Sequence, residues 1–138
     1  MANDALRRHP PRGVEDWAGR LLVAALFAAG VAQKATTPEA DYALLARLGL
    51  PGWLTWPALA LNAAGAVLIV TGHGLPWVAR GLAAYCAVTS VFHLVPDDPW
   101  QISIFVKNWA IAGALLMVAA LADRRPHRPD VPSVQARE

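Results

Sequence analysis

The sequence predicts an all-α fold: a four-helix transmembrane bundle of two helical hairpins, with a short amphipathic helix between helices 1 and 2. Three observations lead there. Of 138 residues, 56% are hydrophobic, and the mean hydropathy of +0.36 lies above that of ordinary soluble domains. The charges crowd into the first twenty residues, the segment after Ala122 and a few short connections. The nearly uncharged stretches between them approach the ~20 residues that a helix needs to cross a ~30 Å hydrocarbon core. The expected organisation is an N-terminal tail over 1–16, one helical membrane domain over 17–122 and a flexible C-terminal tail over 123–138.

The first span is read at Trp17–Gln33. Its uninterrupted apolar run, Leu21–Ala32, follows basic residues and has the length of a signal-peptide core, and Gly30-Val31-Ala32 resembles a small-residue cleavage site. A chain with three spans would leave its tails on opposite sides, so an uncleaved helix is expected. Thr37-Pro38-Glu39 then offers an N-cap, a first-turn proline and an acidic first turn. Leu44, Leu45 and Leu48 follow on one side before Gly49 and Pro51 stop the helix. Pro38–Leu48 is accordingly read as an amphipathic cap.

The second span, Leu54–Gly72, has Asn62 as its only strongly polar residue. The third, Pro76–Val95, reaches spanning length with Arg80 near one boundary and His93 near the other, where such side chains extend to the headgroups. The fourth, Ile102–Ala122, carries Lys107 and Asn108 in its first two turns and ends at Asp123-Arg124-Arg125-Pro126.

Charge sets the expected orientation. With four spans, one side holds Arg7, Arg8, Arg12, Arg20, Arg80, Arg124, Arg125, Arg128 and Arg137, and the other only Lys34, Arg47 and Lys107. Positive flanks are retained in the cytoplasm, which places both termini inside. Trp17, Trp53, Trp56, Trp77 and Trp100 fall at the boundaries of the expected spans, where indoles favour the membrane interface, and Trp109 lies deeper. Small residues such as Ala25, Ala29, Gly30, Gly65, Gly81 and Gly113 allow close helix approach, within one bundle or between copies.

This topology brings Gln33, Lys34, His93, Lys107 and Asn108 toward the outer face, with Asn62 about half-way down. Lys107 lies about 7.5 Å inside Ile102 along the helix axis. Two readings stand. The lysines snorkel or anchor and His93 donates to a carbonyl, or the group forms a cationic pocket with amide donors for a quinone carbonyl, a lipid headgroup or a small anion. Asp97 and Asp98 are available to pair with Lys107 or His93. The candidate ligand-binding residues are Lys34, Asn62, His93, Lys107 and Asn108, and no catalytic residue is assigned.

Other chemistries are disfavoured. His93 is the sole histidine well placed in a span, which argues against bis-histidine haem within one chain, and His9, His73 and His127 show no metal-ligand spacing. Cys86, the only cysteine, is read as a packing residue. No phosphate-cradling loop or dinucleotide fingerprint follows a strand, and no basic stripe alternates with aromatics to track nucleic acid.

The stretches RLLVAALFAAGVAQK at 20–34, LGLP at 48–51, NAAGAVLIVTG at 62–72, FH at 92–93 and IFVKNWAIAGALL at 104–116 resemble the DoxX family of small bacterial four-helix membrane proteins. Carried over by position, the resemblance singles out Lys34, Gly65, His93, Lys107, Asn108 and Gly113. One position departs: many relatives have an acidic residue where Asn62 stands, so this chain lacks that partner for Lys107 and any proton relay through it. The resemblance implies a multi-pass protein of the bacterial cytoplasmic membrane, associated with oxidoreductases, with relatives that include the quinone-linked DoxD subunit of thiosulfate oxidation. The leading expectation is therefore a membrane subunit or scaffold of a quinone-linked assembly, with quinone as a non-covalent cofactor. Its partners would be the lipid bilayer and either redox-complex subunits or further copies of the chain. A quinone-binding enzyme subunit acting on small sulfur compounds, and a transporter or lipid-binding protein, are the alternatives.

Overall fold

A computed structural model describes residues 8–124. The expected flexible tail from residue 125 onward, with Arg125, His127, Arg128 and Arg137, lies outside the described residues, as does Arg7. Within them are five α-helices: α1 (Val14–Thr36), α2 (Pro38–Arg47), α3 (Thr55–Thr71), α4 (Leu75–Ser90) and α5 (Pro99–Asp123). Short 3₁₀ turns at Gly52–Leu54 and Val91–His93 extend the start of α3 and the end of α4.

The helix limits follow from local chemistry. α1 begins three residues before its expected start, so part of the N-terminal tail is helical. Thr37 lies between α1 and α2, and Pro38 occupies the first turn of α2, where its missing N–H costs nothing. α3 ends at Gly72, whose φ of 73° is open to glycine and strained for other residues. α5 starts at Pro99 because Asp98 caps it, accepting hydrogen bonds from the Trp100 and Gln101 N–H groups at 2.9 and 3.2 Å. That contact gives Asp98 a capping role instead of a pairing with Lys107 or His93.

Among the described residues, three stretches are long and apolar enough to cross a membrane: Gly52–Thr71, Leu75–His93 and Pro99–Asp123. α1 has comparable length but carries Glu15, Asp16 and Arg20 near its start and Lys34 near its end. The outward faces of the long helices are apolar. Leu22, Val67, Met117 and Leu121 are all more than half exposed from the protein. A contiguous apolar surface of this kind belongs against lipid, and the chain is a multi-pass membrane protein.

The long helices pack as antiparallel neighbours, α1 on α3 and α4 on α5, with a lighter α3–α4 contact joining the pairs. α1 and α5 are not packed along one another. The core, including Phe27, Ile69, Ala79, Leu82, Ala112, Leu115 and Ala119, lies mainly where α4 meets α5 and towards the α3–α4 turn. Gly65 lets the Leu82 side chain approach so closely that a Cβ there would meet it at 2.7 Å. Gly81 and Gly113, by contrast, face open space and contribute no packing within the chain.

The α3–α4 turn is closed by the segment preceding α1. Arg20 is 4% exposed. Its guanidinium donates to both Asp16 carboxylate oxygens, at 2.9 and 3.2 Å, and to the His9 carbonyl at 2.8 Å. The His9 N–H donates to the Gly72 carbonyl at 2.8 Å, and Arg8 Nε donates to the Thr71 carbonyl. Arg80 pairs with Asp123 at the same end and lies over the Trp77 ring.

Candidate ligand-binding site

At the opposite end, between the two helix pairs and beneath α2, lies a cavity of about 460 Å³. Its size falls in the range of small-molecule sites. Lys34, Asn62, His93, Lys107 and Asn108 all line it, contributed by α1, α3, the turn after α4, and α5. Leu26, Phe27, Leu45, Phe92, Ile104 and Ile111 supply apolar wall. α1 and α5 both contribute wall without packing along each other.

The polar side chains differ in how they are satisfied. Lys34 Nζ lies 3.4 Å from Asp41 Oδ2, both side chains being largely buried. His93 Nδ1 lies 2.6 Å from Gln101 Oε1. An amide oxygen can only accept, so in this pairing Nδ1–H donates. Lys107 and Asn108 make no ion pair or hydrogen bond with the described residues. As neighbours on one helix they point about 100° apart.

Asn62 is 4% exposed and Thr55 2% exposed, yet Asn62 Oδ1 and Thr55 Oγ1 have no hydrogen-bond partner. Thr55 contrasts with other hydroxyls. Thr71, Thr89 and Ser90 each donate to a carbonyl three or four residues back in their own helix. Thr55 makes no such bond, although the 3₁₀ turn Gly52–Leu54 precedes it. Asn62 is held by its surroundings: its Nδ2 lies over Gly30, where a Cβ would come within 2.7 Å, and Tyr85 is its neighbour on α4.

Among the polar lining residues, Asp41, Thr55, Tyr85 and Thr89 were not picked out from the sequence. Asp41 corrects the expectation that Asn62 leaves the cluster without an acid, because α2 folds a carboxylate onto the cavity wall. Its signal was spacing: Asp41 precedes Leu44 and Leu45 by three and four residues, which puts it on the same helix face. Tyr85 and Thr55 had no comparable signal. Cys86 is buried and lines the cavity among apolar neighbours, consistent with packing.

A family model for DoxX matches residues 16–94. The chain belongs to the DoxX family. The match runs from α1 through the turn after α4, and so contains Lys34, Asn62 and His93. It stops before Lys107 and Asn108, which join the site through the packing of α5 on α4. No curated protein and no solved structure matches the chain.

Proposed function

We propose that this DoxX protein crosses the bacterial cytoplasmic membrane four times, with both termini in the cytoplasm, and serves as the membrane subunit of a quinone-linked oxidoreductase assembly. The crossing number rests on length and charge. α1, at 23 residues, reaches about 34 Å, and Arg8, Arg12, Arg20, Arg80 and Arg124 lie toward the end of the molecule that carries the α3–α4 turn. That asymmetry favours this end as the cytoplasmic one.

The single observation that supports the quinone reading is the cavity. It combines apolar walls, buried oxygens without partners at Asn62 and Thr55, and the donor side chains of Lys107 and Asn108. A quinone ring with an isoprenoid tail has matching chemistry: Lys107 and Asn108 offer donors to ring oxygens, and the apolar wall faces the tail. When bound, a quinone supplies two-electron, two-proton exchange. The chain's own residues would orient the ring and restrict water, while a partner subunit would carry electrons to it.

Purification from native membranes in mild detergent tests this. The expected result is co-purification of an oxidoreductase subunit and extractable quinone, with quinone content falling at least severalfold in Lys107→Ala. Homo-oligomer alone, free of quinone and of any redox partner, would overturn the reading.

A further inference from the structure

The deep wall of the cavity is more specific than an amphiphile site requires. Asn62 and Thr55 are seven residues apart on α3, two turns and about 10.5 Å along one face. Both residues line the same cavity, and each carries a buried oxygen atom without a partner. The Asn62 amide nitrogen is directed at Gly30 and neighbours Tyr85, which leaves its oxygen as the amide atom without a partner. An amide oxygen accepts hydrogen bonds and cannot donate. A ligand that offers only carbonyl or ether oxygens at this depth would leave Asn62 Oδ1 unsatisfied.

We infer that the Asn62 end of the cavity selects ligands carrying a hydroxyl or N–H donor on an apolar body. Applied to the quinone reading, on which this second step rests, the site holds the hydroquinone in preference to the quinone. Lys107, Asn108 and the Tyr85 hydroxyl serve either form, since each can donate to a ring oxygen. Asn62 Oδ1 distinguishes them, because only the reduced ring carries O–H groups. One net hydrogen bond corresponds to about tenfold in affinity. A tenfold preference for the reduced form raises the midpoint potential of the bound couple by about 30 mV.

Two probe pairs separate the inference from the reading beneath it. In the first, para-nonylphenol and its methyl ether, para-nonylanisole, differ by exchange of the O–H donor for O–CH3, and neither pairs as a quinone couple. In the second, decylubiquinol is compared with decylubiquinone. Dissociation constants are measured on the detergent-solubilised full chain. The phenol is expected to bind about tenfold more tightly than the ether. That preference should vanish in Asn62→Leu and persist in Lys107→Leu. If Asn62→Leu does not fold, Asn62→Ala, which only removes atoms, carries the same expectation. Equal binding of phenol and ether, or a preference that survives loss of the Asn62 amide, would overturn the inference. Should the phenol preference depend on Asn62 while neither ubiquinone form binds, the donor requirement stands and the quinone reading falls.

Discussion

The two ends of the helical domain treat buried polar groups in opposite ways. At the α3–α4 turn, Arg20 is buried and fully engaged, with Asp16 and the His9 carbonyl around its guanidinium. At the other end, Asn62 and Thr55 are equally buried and hold unpartnered oxygens beside a cavity. An unsatisfied buried acceptor costs about 1–3 kcal/mol, so a chain retains one where something outside the chain completes it. The closed end is therefore architecture, and on the proposed reading the open end keeps its polar groups for a ligand.

The largest expected effect sharpens the closed end. Arg20→Met removes the hydrogen bonds to Asp16 and to His9 and should destabilise the domain by about 3 kcal/mol, read as a lowered unfolding temperature in detergent. An unchanged melt would show that the N-terminal clasp is not structural.

Gly72→Ala follows, at about 2 kcal/mol. Its Cβ would lie 2.2 Å from the His9 carbonyl oxygen and 2.5 Å from Arg20 Nη1, in a backbone conformation with φ of 73°. The predicted signature is loss of hydrogen-exchange protection at the His9 amide together with the lower melt. Asp41→Asn leaves the largely buried Lys34 without its carboxylate and should destabilise the domain by about 2 kcal/mol, read as a lowered melt.

Asn62→Leu reverses the sign. Replacing an unsatisfied amide by an apolar side chain of similar size should stabilise the empty protein by about 1 kcal/mol while weakening ligand binding. Equal destabilisation by Asn62→Leu and Arg20→Met would erase the distinction between the ends.

Much of the helical organisation was legible in the sequence because lipid imposes long apolar runs, and Pro38, Gly72 and Pro99 punctuate them. Boundaries moved where tertiary contacts or caps extend a helix, as at Val14 and at Asp98-Pro99. Lys34, Asn62, His93, Lys107 and Asn108 stood out because polar residues are conspicuous in apolar segments. Asp41 did not, since an acid in the first turn of a surface helix reads as ordinary solvation until α2 folds over the cavity. The lack of a partner at Thr55 was equally hidden, because a hydroxyl's partners depend on packing that the sequence does not display. Gly113 drew notice as a small residue in a span, yet it faces outward, because composition alone does not tell which side of a helix meets a neighbour.

The most direct test is a pair of thermal melts of the wild-type chain and Asn62→Leu, each with and without saturating decylubiquinol. Wild type should unfold at a higher temperature with the probe. Asn62→Leu should start higher than wild type and gain much less. A wild type that does not respond to the probe, with Asn62→Leu less stable than it, would contradict the claim that the open end holds its polar groups for a ligand.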